Sequence, residues 1–143
     1  MMGRAVLKKT LIVLFCSLST GAVAASPTDM CPTGADGNWV IASARPYSDI
    51  TALGSEEVHA YIGKKVSVSD RKVVYGDVQC EVTKRSIEKY PDSPSFDPRF
   101  PYSIGYDCGN GVDIFGFDVG KSCDRIASGG EGWTFTLRRA KTK

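Results

Sequence analysis

Tyr102-Ser-Ile-Gly-Tyr-Asp-Cys108, then Gly109-Asn-Gly111, then Val112-Asp-Ile-Phe-Gly-Phe-Asp-Val119: this stretch decides the fold class. In its first arm Tyr102, Ile104, Tyr106 and Cys108 alternate with Ser103, Gly105 and Asp107. A period of two belongs to a β-strand with one buried face. Gly-Asn-Gly supplies residues that tolerate positive φ in a tight hairpin turn. Residues 112–119 return as the partner strand, but their apolar parity changes: Val112 and Ile114 come before Gly116, and Phe115, Phe117 and Val119 lie on the other register. A bulge or bend at Gly116 is expected to absorb the change.

The same period extends outward. Val66 and Val68 alternate with Ser67 and Ser69, Ser69-Asp70-Arg71 turns the chain, and Lys72-Val-Val-Tyr-Gly76 returns it. Val78, Cys80 and Val82 continue an alternating face. Trp39-Val-Ile-Ala-Ser-Ala-Arg45 reads as a first strand. Asp124 to Ser128 and Trp133-Thr-Phe-Thr-Leu137 read as a last hairpin across Gly129-Gly-Glu-Gly132. One short helix is expected at Ser55-Glu-Glu-Val-His-Ala-Tyr-Ile62, with Ser55 as N-cap, two glutamates in the first turn and Gly63 as the stop. The fold class is therefore mainly β: a small antiparallel barrel or a sandwich of seven or eight strands, with one helix after the first strand. A lone sheet with one apolar face cannot hide it, so the strands must curl or stack.

The N-terminus reads as an export signal. Arg4, Lys8 and Lys9 precede an apolar run, Leu11 to Leu18, that is too short to cross a bilayer, which takes about 20 apolar residues. Thr20-Gly-Ala-Val-Ala24 then supplies the small residues of a cleavage site. The expected organisation is a signal peptide, 1–24, followed by one domain, 25–143. The whole chain carries 18 basic and 16 acidic residues, a net +2. Cleavage removes three basic residues and no acidic ones, which leaves 15 against 16, a net −1. The domain thus lacks the basic footprint of a nucleic-acid binder.

Export also fits the cysteines. Cys16 leaves with the signal, and Cys31, Cys80, Cys108 and Cys123 remain, an even set for an oxidising compartment. If 112–119 is one strand, Cys108 and Cys123 lie at its opposite ends, too far apart to bond. Two pairings remain. Cys80–Cys123 with Cys31–Cys108 is preferred over Cys80–Cys108 with Cys31–Cys123. The expected location is the bacterial periplasm or the cell exterior.

The long link is 90–101, Tyr-Pro-Asp-Ser-Pro-Ser-Phe-Asp-Pro-Arg-Phe-Pro, which holds four of the seven prolines. Proline fixes φ and lacks a ladder donor, so this is a stiff irregular loop. Tyr90, Phe96, Arg99 and Phe100 are its candidate binding residues. They are expected either to latch the loop over an open barrel end or to form the rim that meets a partner.

Gly37-Asn-Trp39 at the head of the first strand is a G-x-W, and the last strand ends in Arg138-Arg139. This resembles the lipocalin and wider calycin barrels. The resemblance implies that Trp39 plugs one barrel end and an arginine near the C-terminus packs over its ring. Parity assigns that role to Arg139, on the side of Trp133, Phe135 and Leu137, and turns Arg138 outward. The chain also resembles small exported bacterial domains with one such Trp, a short Ser-Glu-Glu helix, Gly63-Lys-Lys-Val66 and paired cysteines.

Catalytic patterns are sparse. His59 is the one histidine, on the expected helix, with no G-x-S-x-G and no free cysteine to serve. Asp107, Asp113, Asp118 and Asp124 are spread along strand ends, where solvated charges are common, although a carboxylate pair for hydrolysis is the alternative reading. No metal-ligand spacing, cofactor motif or phosphate loop is present. Lys64-Lys65, Arg71-Lys72 and Lys84-Arg85 read as charges that protect sheet edges. The leading expectation is a non-enzymatic exported binding module without a cofactor. It would engage a protein partner, as an inhibitor or immunity protein does, or a small apolar ligand held in the barrel, with no nucleic acid and no stable membrane insertion. A small hydrolase using paired aspartates and a structural envelope component are the rivals.

Overall fold

The computed structural model describes residues 27–109 and 114–143. The expected signal peptide, 1–24, lies outside the described residues, as do Asn110, Gly111, Val112 and Asp113. The described chain is mainly β. Its strands are β1 (Gly37–Pro46), β2 (Lys65–Val68), β3 (Lys72–Tyr75), β4 (Val78–Glu81), β5 (Lys84–Lys89), β6 (Tyr102–Asp107), β7 (Ile114–Val119), β8 (Arg125–Gly130) and β9 (Trp133–Arg139). One helix, α1 (Ser55–His59), lies between β1 and β2.

All nine strands belong to one antiparallel sheet of order β4-β3-β2-β1-β9-β8-β7-β6-β5. Every strand pairs with its sequence neighbours except β4 with β5, and β9 pairs back onto β1. The two edges of this sheet are thus consecutive in the chain, joined only through Val82 and Thr83. Because all pairings are antiparallel, β4 and β5 run in the same sense. The Val82 N–H donates to the Arg71 carbonyl at 2.9 Å and extends the β3–β4 ladder; the Thr83 N–H donates to the Asp107 carbonyl at 2.8 Å and begins the β5–β6 ladder. Residues 78–89 behave as one strand that changes partner at a corner. Nine assigned strands therefore make eight continuous runs, and the sheet curls as in a small barrel. β5 was illegible as a strand because it has no apolar alternation: all six residues are exposed.

The core lies inside the curl. Tyr75 on β3 stacks on Phe117 of β7 with ring centroids 6.4 Å apart, and Tyr106 of β6 meets the same ring edge-on at 5.9 Å. The Tyr75–Phe117 contact joins strands five places apart in the sheet order, which only curling permits. Trp39, Tyr106, Phe117, Ile41, Ile104, Ile126 and Leu137 are fully buried there. Each such side chain contributes about 1.5–3 kcal/mol of burial.

Three expectations are corrected. First, no bulge falls at Gly116: β6 and β7 pair without a break from Tyr102↔Val119 to Asp107↔Ile114. Phe115, Phe117 and Val119 take the inner register, and Ile114 is 73% exposed rather than buried. The irregularity sits instead in β1, between Ile41 and Ser43, where the register with β9 shifts. Second, α1 starts after Gly54, not Ser55, and ends at His59. The Gly54 N–H donates to Glu57 Oε2 at 2.7 Å, so a glutamate in the first turn caps the helix.

Third, the disulfides are Cys31–Cys123 and Cys80–Cys108, not the preferred pairing. The corner explains Cys80–Cys108. Thr83 meets Asp107, so the end of β6 arrives beside the end of β4, with Cα atoms of the two cysteines 5.2 Å apart. Cys31 lies in the segment before β1, and the link between β7 and β8 passes beside it: the Cys31 N–H donates to the Gly120 carbonyl at 2.7 Å. Two disulfides fit an oxidising compartment. Among the described residues no helix is long and apolar enough to cross a membrane.

One end of the curl is closed. Residues 27–36 cover the inner side of β6 there, with Met30, Cys31 and Ala35 buried. Tyr102 Oη donates to Asp29, and Tyr106 Oη donates to Asp36 at 3.3 Å. Trp39 lies beneath this segment, 0% exposed, its indole N–H donating to the Ala35 carbonyl at 2.8 Å. The Arg139 guanidinium lies 4.3 Å from the Trp39 ring centroid. It also donates to the carbonyls of Cys123 at 2.7 Å and Asp36 at 3.3 Å. Gly37 makes room for it: at φ +137 its missing Cβ would stand 2.2 Å from Arg139 Nη1.

Candidate functional site

The opposite end of the curl is open. The β3–β4 turn at Gly76-Asp77, the β8–β9 turn at Glu131-Gly132, the start of β7 and the 47–64 connection all reach this end. Between them lies a cavity of about 490 Å³, within the range usual for small-ligand sites. Four aromatic side chains line it: Tyr61, Tyr75, Phe115 and Phe135. Tyr75 and Phe115 stack at 5.9 Å, and Tyr61 and Phe135 meet at 5.6 Å with a 44° tilt.

Local sequence explains the arrangement. Tyr75 ends β3, where Gly76 at φ +60 allows the turn to be made in two residues. Phe115 and Phe135 sit on the inner register of β7 and β9. Tyr61 follows α1, whose Val58 is 3% exposed and anchors the helix in the core. Gly116, Gly129 and Gly130 contribute backbone only, and a Cβ on Gly116 or Gly130 would meet nothing within 4 Å.

The polar groups are few. Ser128, 8% exposed, is the one buried polar residue among the described residues and lines the cavity with Tyr75. Burial pushes the Tyr75 phenol above its ordinary value, and the nearby Ser128 side chain opposes that shift. The Tyr75 hydroxyl therefore stays protonated, a neutral donor and acceptor rather than a charge. Lys64, Asp77 and Glu131 also line the cavity, with the Lys64 ammonium 4.6 Å from the Tyr61 ring centroid.

Large apolar side chains surround this same end. Tyr47 is 63% exposed, Ile50 86%, Val78 50% and Ile114 73%, four of the seven exposed large hydrophobics among the described residues. The loop holding Tyr47 and Ile50 is fixed to the β8–β9 turn: the Tyr47 N–H donates to the Gly132 carbonyl at 2.9 Å and the Ala52 N–H to the Glu131 carbonyl at 3.1 Å. Clustering of this kind, rather than scattered exposure, marks a contact or entry surface.

The candidate residues of 90–101 come together, but elsewhere. Tyr90 and Phe96 stack at 4.4 Å. Tyr90 Oη donates to Asp118 Oδ1 at 2.7 Å. Arg99 is held by Asp97, with Nη2 to Oδ2 at 2.7 Å, and Asp97 also faces Arg45 at 3.8 Å. Phe100 is 7% exposed. Asp118 is on the outer register of β7, and Ala127, its partner on β8, is 2% exposed, so this outer side is covered. Tyr90, with Phe96 stacked on it, latches the loop along the outer wall rather than over an open end, because its partner Asp118 is an outward side chain. None of the four lines the mouth cavity.

The aspartates are not gathered. Asp107 accepts the Gly109 N–H at 2.9 Å at the end of β6. Asp118 pairs opposite Ser103, four residues back along that ladder, about 13 Å away at strand rise. Burial raises the Asp118 carboxyl, opposed by hydrogen bonds from Tyr90 and Ser103. Asp124 is held by Ser122, which lowers its carboxyl. Asp113 lies outside the described residues. His59 is exposed on α1, beside a second hollow with Val58 and Trp133. Among the described residues no group of three metal-ligating side chains is present. A third hollow, with Lys65, Lys141 and Lys143, lies against the outer side of β1 to β3.

The mouth went unseen in the sequence because its residues are distant along the chain. Tyr61 falls in the expected helix, Tyr75 in a returning hairpin arm and Phe135 on the inner side of the last strand, and only the curl brings them around one space. No family model, curated protein or solved structure matches this chain.

Proposed function

We propose that this chain is a non-enzymatic exported binding module that takes a small apolar ligand at the open mouth of its curled sheet. The observation that carries the reading is the aromatic-walled cavity of about 490 Å³ whose buried polar groups are hydroxyls of Tyr75 and Ser128. Such a site buries an apolar body and offers a small number of hydrogen bonds to orient it. The exposed side chains of Tyr47, Ile50, Val78 and Ile114 support it as an apolar entrance. The paired cysteines and the N-terminal signal pattern support export to the periplasm or beyond. The lipocalin-like reading of Trp39 and Arg139 belongs to the same proposal: one end sealed by an indole and its guanidinium, the other left for a ligand.

The test is a titration of the disulfide-bonded chain with N-phenyl-1-naphthylamine, a neutral dye that brightens in apolar surroundings. One saturable site is expected. Ser128→Leu, which fills the cavity floor, is expected to abolish it, while Arg138→Met, on the exposed outer side, leaves it intact. Absence of saturable binding, or equal binding by Ser128→Leu, refutes the proposal.

A second reading is favoured by Ile50 and Ile114, which are more exposed than ligand entry requires: a protein partner seats on the rim. Ile50→Ser with Ile114→Ser tests it: a partner complex captured by the original chain is expected to be lost while the dye site stays intact, and a complex that survives the substitutions refutes this second reading.

A further inference from the structure

We infer that the occupant of the mouth is a cationic amphiphile, an apolar amine or quaternary ammonium compound, and not a fatty acid; this rests on the ligand-binding reading above and names its chemistry. The cavity offers aromatic faces from two ring pairs, Tyr75 with Phe115 and Tyr61 with Phe135. Ring faces carry negative charge density and attract cations, quaternary ammonium groups above all. One of these rings already does so, since the Lys64 ammonium lies 4.6 Å from the centroid of Tyr61.

The charged side chains of the lining add to this preference. Asp77 and Glu131 are both there, one from each hairpin turn, against the single cation Lys64 among the described lining residues. A carboxylate headgroup would meet two like charges and one opposite charge; an ammonium headgroup meets the reverse. Lys64 is spent on the Tyr61 face, and no carboxylate holds it in an ion pair among the described residues. Glu131 is also the one described non-glycine residue with positive φ, at +53. Its position, first in a two-residue turn closed by Gly130↔Trp133, favours Asn, Asp or Gly. A glutamate there puts a carboxylate at the mouth against local backbone preference.

The experiment displaces bound N-phenyl-1-naphthylamine from the disulfide-bonded chain with three competitors sharing a decyl tail: decyltrimethylammonium, decanol and decanoate. It is run at neutral pH and low salt, where unscreened charge is visible. Decyltrimethylammonium is expected to bind roughly tenfold more tightly than decanoate, with decanol between. In the Asp77→Asn/Glu131→Gln variant that gap is expected to narrow, the ring faces keeping the remainder, while decanol affinity stays unchanged, which shows that the variant is folded. Equal or tighter binding of decanoate overturns the inference and makes Lys64 the anchor of an anionic headgroup. A gap of undiminished size in the variant also overturns it. In both cases the dye still binds, so the ligand-binding reading stands. Failure of the dye to bind at all removes that reading, and the inference with it.

Discussion

Replacing Arg139 by methionine tests how the closed end is held. The guanidinium does three things there. It lies over the buried Trp39 ring at 4.3 Å, donates to the Cys123 carbonyl at 2.7 Å and donates to the Asp36 carbonyl at 3.3 Å. A cation over a largely desolvated ring is worth about 1–2 kcal/mol. Hydrogen bonds from a charged donor are worth about 1.5–3 kcal/mol each when buried. Here the Cys123 bond is exposed, so water replaces much of it, and the Asp36 bond is long. Methionine keeps the methylene stem and covers part of the indole, which offsets some of the loss. The net cost is expected to be about 2–3 kcal/mol, a large share of a typical stability of about 5–15 kcal/mol. In urea that lowers the midpoint by roughly 1–2 M at an ordinary slope for a small domain. Far-UV circular dichroism reads the transition, and Arg138→Met is the control, with an expected change under about 0.5 kcal/mol. Arg139→Lys keeps the charge but not the planar fork and is expected to fall between. Equal midpoints for the two methionine variants would refute the reasoning.

Glu131→Asn is expected to stabilise the chain by about 0.5–1 kcal/mol, because Asn tolerates the positive φ of that turn better; a thermal midpoint that falls instead contradicts it. Burial raises the Asp118 carboxyl in the folded state, so its contribution is fully favourable below the unfolded value and is lost as pH rises through the higher folded value. Asp118→Asn removes that dependence. The stability of the variant relative to the original is therefore expected to improve from acid toward neutral pH, and urea midpoints across that range check the sign. Removing the Cys31–Cys123 bridge, which spans 92 residues, is expected to cost about 4–5 kcal/mol, against about 3–4 for Cys80–Cys108, which spans 28. Paired Cys→Ser variants in urea test that order, and the reverse order contradicts it.

Much of the fold was legible because burial alternates where one face is inside. Tyr102, Ile104 and Tyr106 are all buried as their period required, and so are Phe117 and Val119. Trp39 and Arg139 meet as parity assigned them. What failed has a common cause. Ile114 was counted as core because it is apolar, yet it is exposed at the rim of an open mouth, so the bulge invented to turn it inward was unnecessary. β5 carries no alternation, since its residues are exposed throughout. Without β5 the corner at Val82–Thr83 was invisible, and with it the contact that pairs Cys80 with Cys108. The 90–101 loop stands out by composition, with four of the seven prolines. Its rings and charges satisfy one another on the outer wall, whereas the cavity is assembled from Tyr61, Tyr75, Phe115, Ser128 and Phe135, residues that no local pattern links.

Amide and aromatic NMR shifts during titration with decyltrimethylammonium locate an occupant residue by residue. Binding at the open mouth places the changes on Tyr61, Tyr75, Phe115, Ser128 and Phe135, with Trp39 and the Tyr90–Phe96 stack unmoved. Changes confined to Trp39 and the 27–36 segment, or to the 90–101 loop, would contradict that placement.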